Sequence, residues 1–133
     1  MTTASTTVTT TLLENFTAAF NRHDVDRLLA MMTDDCVFEG AAGPEAYGIR
    51  FSGAEAVGAA FAQVWATFPD AHWGRGRHFV HGDFGVSEWT FTGTRADGAR
   101  IEAEGCDLFS FRDGKIALKR AFRKDRPLLA AGK

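Results

Sequence analysis

The second half of the chain is a succession of long alternating segments, and nothing else in the sequence constrains the fold as much. RGRHFVH, GVSEWTFTGT, RIEAEGCDLFSF and KIALKRAF follow one another, separated only by GD, RADGA and RDG. A period of two marks strands with one face buried, and Gly-Asp and Asp-Gly pairs are turn chemistry. The pattern predicts a meander of long antiparallel strands whose apolar face something else must cover.

The cover is encoded upstream. Thr11 to Glu14 (TLLE) has the spacing of a capping box, and Leu12, Phe16, Ala19 and Phe20 then recur at helical spacing. NRHD interrupts, and Asp24 can cap a short second helix carrying Val25, Leu28, Leu29 and Met32. CVFEG reads as a strand, AAGPEAYG as a loop by its Gly and Pro content, and YGIRF as a short edge strand. Ser52 to Glu55 (SGAE) is a second capping box, opening a helix with Val57, Phe61, Val64, Trp65 and Phe68 on one side that Pro69 stops. Three helices followed by a strand meander make one α+β domain over residues 11–127, between a threonine-rich disordered tail at 1–10 and a flexible tail at 128–133.

Composition removes several classes of function. With 133 residues the chain can build a core without staples, and a net charge of -2 recommends neither nucleic acid nor an anionic membrane as partner. No apolar run approaches the roughly 20 residues of a membrane span, and MTTASTTVTT lacks the basic start and apolar centre of a secretory signal, so a cytoplasmic setting is expected. Cys36 and Cys106 read as reduced buried thiols. The four histidines show no zinc spacing and no glycine loop suits a phosphate, so no metal and no cofactor are expected.

One residue resists the pattern. In EGCDLFSFRDG, Asp107 shares a strand face with Phe109 and Phe111. A carboxylate on a buried face must find a cation, take up a proton, or line a wet cavity. Hairpin register says what surrounds it. A two-residue Asp113-Gly114 turn pairs Phe111 with Ile116 and sets Asp107 opposite Arg120; a bulge in the last strand would bring Lys119 instead. The earlier hairpins set Ser87 opposite Asp107, Trp89 opposite Gly105, and His78 opposite Ser87. The row His78, Ser87, Asp107, Arg120 then crosses four strands on the face carrying Trp89 and Phe109. A serine hydrolase does not follow, because serine sits between the other two and no G-x-S-x-G elbow exists.

FNRHDVDRLLAMMTDDCVFEG, SGAEAVGAAFAQVWATFPD and the span from SEWTFTGT through CDLFSFRDGKI together resemble the nuclear transport factor 2-like superfamily, in particular its SnoaL-like polyketide cyclase and ketosteroid isomerase-like branches. The resemblance implies a strongly curved, mixed but mostly antiparallel sheet with the helices packed on it, a cone with an internal pocket, and a homodimer paired through the sheet. It also implies that Asp107 stands where ketosteroid isomerases hold an oxyanion-stabilising aspartic acid and SnoaL-like cyclases an acid/base aspartate. The isomerase's basic aspartate and its tyrosine are replaced here by Gly40 and Phe16, and Glu39, one step away, points to the opposite face. Steroid isomerisation by that mechanism is therefore not expected, nor is there an Asp-Arg-Asp set like that of limonene epoxide hydrolases.

Two readings follow. In one, the protein is a cofactor-free acid/base enzyme for a small or medium apolar molecule bearing a carbonyl, with Asp107, His78 and Lys119 or Arg120 as catalytic groups and Phe16, Phe38, Trp65, Trp89 and Phe109 around the substrate. In the other, Asp107 is half of a structural ion pair, the aromatics are core, and the fold binds an apolar ligand or only dimerises. Space left by Gly40 and Phe16, with no second carboxylate, favours a wet pocket around Asp107.

Overall fold

The computed structural model describes residues 7–130. Most of the expected threonine-rich tail, and the last three residues of the C-terminal one, lie outside those residues. Of the remainder, Val8 packs against the core, and Leu129 pairs with Arg100 through two backbone hydrogen bonds of 3.1 and 2.7 Å.

The helices are α1 (Thr10–Asn21), α2 (Val25–Ala30) and α3 (Ala54–Thr67); the strands are β1 (Met32–Glu45), β2 (Gly48–Ser52), β3 (His72–His81), β4 (Phe84–Thr94), β5 (Arg100–Arg112) and β6 (Lys115–Arg123). α1 forms because Leu13, Phe16, Ala19 and Phe20 make one apolar stripe, and all four are buried. Its predicted capping box does not form: the helix starts two residues early, with Thr9 rather than Thr11 as an N-cap, and Thr9 makes no side-chain hydrogen bond. The box expected at Ser52–Glu55 fails similarly, since Gly53 is the N-cap of α3 and bonds through no side chain. Asp24, by contrast, caps α2 as expected, accepting from the Arg27 backbone N–H at 3.1 Å.

All six strands join one mixed sheet in the order β2-β1-β6-β5-β4-β3 that does not close on itself. Only β1 and β6 run parallel; every other neighbouring pair is antiparallel. The meander of the last four strands is as read. AAGPE, expected as loop, instead prolongs β1 into a hairpin with β2, with a register shift between Gly40 and Glu45. A long twisted sheet curls, and the helices sit in its concavity. They divide the packing into two clusters. One gathers Leu13, Phe16, Phe20, Phe61, Phe109 and Ile116; the other gathers Ala71, Trp89, Phe91, Ile101 and Ala103.

Register in the meander decides which side chains face inward. His78 pairs with Ser87, Ser87 with Asp107, and Trp89 with Gly105, all as predicted from the turns. The last hairpin keeps Phe111 opposite Ile116, through an Asp113-Gly114 turn with φ of 56° and 77° at its two residues. Immediately beyond, the pairing jumps to Ser110 opposite Leu118, leaving Ala117 as the extra residue of a bulge. Asp107 therefore pairs with Ala121 rather than Arg120.

Candidate functional site

The bulge at Ala117 shifts the face presented by every later residue of β6. Lys119 turns inward, where its Nζ donates to Asp107 Oδ1 at 3.0 Å, and Arg120 turns outward, where its Nε donates to Glu39 Oε1 at 3.1 Å. Arg120 thus leaves the candidate site and joins Arg50, which holds the other oxygen of Glu39 at 2.8–2.9 Å. Both carboxylates that the sequence places near the apolar layer are compensated, on opposite faces of the sheet.

Asp107 and Lys119 are 6% and 5% exposed, so the pair is nearly withdrawn from solvent. The second carboxylate oxygen is not idle. Trp89 Nε1 donates to Asp107 Oδ2 at 2.9 Å. Gly105 makes that bond possible: it faces Trp89 across the strand pair, and a Cβ there would lie 2.7 Å from the indole. Only a residue without a side chain lets the ring lie flat over β5 and reach Asp107. Lys119 is further steadied by ring faces, with Nζ 4.6 Å from the centroid of Phe38, 5.2 Å from Phe20 and 5.7 Å from Phe61.

The pair forms part of the wall of a cavity of about 650 Å³ between α3 and the sheet. Phe38, Phe51, Phe68, Trp73, Trp89 and Phe91 supply its aromatic surface, and Ala56, Ala59 and Ala60 supply small residues from α3. That volume lies within the usual range of small-molecule sites. Among the described residues, the charged ones on its wall are Asp107, Lys119 and Arg123. Behind the pair a void of about 10 Å³, bordered by Phe16, Phe20, Trp73 and Trp89, offers room for one water at most. A second concavity, about 550 Å³, shares Trp89 and Arg123 with the first and reaches round to Glu88 and Glu104 of the outer face, but both of those carboxylates are exposed and carry no buried chemistry.

Of the residues expected around a substrate, Phe38 and Trp89 line the large cavity. Phe16 borders only the small void, and Phe109 is core, stacked on Phe111 and edge-on to Phe16. Trp65 stacks on His23 with centroids 5.0 Å apart, outside the cavity wall. His78 bonds Ser87 Oγ through Nδ1 at 2.7 Å and likewise stays off that wall. Burial holds its pKa below the ordinary histidine value, opposed only in part by Glu14 on α1. Cys36 and Cys106 are both free, and burial raises both thiol pKa values, so neither is a ready nucleophile. Sequence reasoning missed Arg123, Phe51, Phe68, Phe91 and Trp73. Arg123 was within reach of it, standing four residues beyond Lys119 and therefore on the same face of β6.

No group of three or more His, Cys, Asp or Glu side chains among the described residues is arranged to hold a metal, and no described helix is long and apolar enough to cross a membrane. Residues 13–119 match the model of the SnoaL-like domain, which is most of the chain. The chain belongs to the SnoaL-like domain family. No curated protein matches it. Among solved structures it resembles a candidate polyketide cyclase of Xanthomonas campestris pv. campestris, with 21% identity, TM-score 0.76, and 85% of this chain and 87% of that one covered. It also resembles a cystatin-like-fold protein of unknown function from Xanthomonas campestris, at 21% identity and TM-score 0.77, covering 90% and 92%. A third is a hypothetical protein of ketosteroid isomerase-like fold from Catenulispora acidiphila, in complex with trimethylamine, at 18% identity and TM-score 0.73, covering 84% and 83%. At these identities the likeness carries the SnoaL-like, α+β cone fold and nothing finer.

Proposed function

We propose that this SnoaL-like protein is a cofactor-independent acid/base enzyme acting on a small or medium apolar molecule that bears a carbonyl. The observation that supports it is a buried carboxylate–ammonium pair on the wall of an otherwise apolar cavity. Such a pair is expensive to build, and a hydrophobic pair of the same size would pack the fold as well. Its geometry suits enolisation. Asp107 accepts one bond at each oxygen, which leaves lone pairs free to take a proton from the carbon beside the carbonyl. The electrons of that C–H bond become the enolate, and its oxygen takes up the charge. Lys119 spends one of its three N–H donors on Asp107 and can offer another to that oxygen. Return of the proton from Asp107 to another atom completes an isomerisation. Attack of the enolate carbon on a second carbonyl, whose oxygen takes the proton, completes a cyclisation. Trp89 fixes the orientation of the carboxylate throughout.

A non-catalytic binding module is the second reading, and one observation favours it: both Asp107 oxygens are already engaged, as in a structural ion pair. The two part on Asp107→Asn. Exchange of the acidic protons of an apolar β-diketone into deuterated water, followed by NMR, reads enolisation directly. On the enzyme reading the wild type accelerates exchange and a folded Asp107→Asn protein loses on the order of 10²-fold or more. Undiminished exchange by the variant sinks the enzyme reading, as does failure of the wild type to accelerate exchange across a panel of such diketones.

A further inference from the structure

Arg123 takes no part in the chemistry above, yet it lines the same cavity. It ends β6 at the exposed rim, with its guanidinium carbon 5.6 Å from the centroid of Phe91, itself a wall residue. Among the described residues every other cation on or near the cavity wall has a carboxylate at contact distance, whereas Arg123 has neither a hydrogen-bond nor an ion-pair partner. The nearest influence is Asp125, two residues on, acting through space. The charge count of the cavity is therefore unbalanced. Asp107 and Lys119 cancel, and Arg123 leaves one positive charge at the mouth.

We infer that the ligand of this cavity is an anion at one end, a carboxylate held by Arg123, with its apolar body along Phe91 and Phe51 and its reacting carbonyl at Lys119. This rests on the cavity being the ligand site, as proposed above, and adds the class of molecule. A planar guanidinium presents paired donors that match a carboxylate, and stacking on an aromatic ring holds the fork in place. Four steps along the strand separate Lys119 from Arg123, so their Cα atoms are roughly 13 Å apart. A molecule spanning them is an elongated keto acid rather than a compact one. Thr67 and Gln63, also on the wall, supply further neutral polar groups from α3.

Calorimetry with naphthylbutanoate and its primary amide, naphthylbutanamide, tests this, because the two differ only in the charged end. The wild type is expected to bind the acid about 10-fold or more tighter than the amide, as charge-assisted hydrogen bonds outweigh neutral ones. In Arg123→Gln the preference should vanish, with affinity for the acid falling by more than that for the amide, and Arg123→Lys should keep part of it. Melting temperatures of the variants confirm folding. Equal affinity of the wild type for acid and amide, a preference that survives in Arg123→Gln, or no binding of the acid at all would each overturn the inference. Binding is read without turnover. A missing preference would therefore leave proton transfer by Asp107 standing, and a catalytically inert Asp107 would leave the anchor standing.

Discussion

Replacing Lys119 by Met exposes the balance between burial and pairing at the heart of the site. With side chains 7% and 8% exposed, Lys119 and Asp107 behave as a buried pair, and removing one partner of such a pair costs about 3–5 kcal/mol through the uncompensated charge left behind. Two features lower that figure. Asp107 keeps its 2.9 Å bond from Trp89, and a methionine fits among the rings of Phe20, Phe38 and Phe61 that now surround the ammonium. Sulfur–aromatic contacts return about 1 kcal/mol. The expected loss is about 2–3 kcal/mol, read as a lower urea midpoint at unchanged slope. The pair should also be coupled. Asp107→Asn introduced into Lys119→Met removes the stranded charge, so the double variant is expected to be more stable than Lys119→Met alone. Arg120→Met serves as the contrast. Glu39 retains Arg50, and Arg120 is 42% exposed, so the loss there should be about 1 kcal/mol or less. A Lys119→Met protein within about 1 kcal/mol of wild type would refute the reasoning, because exposed pairs behave that way. A double variant less stable than Lys119→Met would refute the coupling.

Three further outcomes are expected. Gly105→Ala brings a Cβ against the Phe122 carbonyl oxygen and to 2.7 Å from the Trp89 ring, so it should cost about 1–3 kcal/mol and alter tryptophan fluorescence as Trp89 shifts; wild-type stability with an unchanged spectrum would contradict the role given to Gly105. The outer face bearing Thr90, Thr92, Glu102 and Glu104, with Phe79, Phe84 and Phe122 exposed, has no helix over it, and we expect a homodimer through it; light scattering at micromolar concentration giving 14.5 kDa rather than twice that would refute this. Burial lowers the His78 pKa in the fold, so the unfolded chain binds the proton first; stability should fall as pH drops from about 6.5 towards the lowered folded value, and His78→Gln should lose that part of the slope in urea titrations, while identical slopes would dismiss it.

The sequence carried the fold because its signals are local. Alternation, Asp-Gly turns and apolar stripes each act within a few residues, and the hairpin registers of β3–β4 and β4–β5 follow from turn positions alone. Helix starts were less legible. Capping boxes at Thr11 and Ser52 satisfy a spacing rule, but chain entry sets the first turn elsewhere, at Thr9 and Gly53. AAGPE reads as loop by composition, whereas it continues β1 as a bulged segment closed by the Glu45–Gly48 pair with β2. The aromatic lining was half legible, since spacing says which residues are inward but not which inward residues meet empty space. Phe109 and Phe38 share that inward character, and only Phe38 meets the cavity.

The bulge at Ala117 is the feature on which the proposed chemistry turns. Asp107 lies inside the sheet's curve and Glu39 outside, and the adjacent cations Lys119 and Arg120 are shared between them, one each. Without the extra residue, Arg120 would face inward and Lys119 outward. Nothing in the spacing of charges forbids that arrangement, and both carboxylates would still be paired. What changes is the donor set offered to the cavity. An inward arginine beside Asp107 would commit its fork to the carboxylate as a two-point clamp, closing the site as a structural salt bridge. An inward lysine makes one contact at 3.0 Å and rests its methylene stem and charge against rings, which attract the cation without accepting conventional hydrogen bonds. It keeps donors in reserve. A carbonyl oxygen entering the cavity would meet those donors beside a carboxylate already oriented by Trp89, and this is the arrangement that favours a site for proton transfer over a strut.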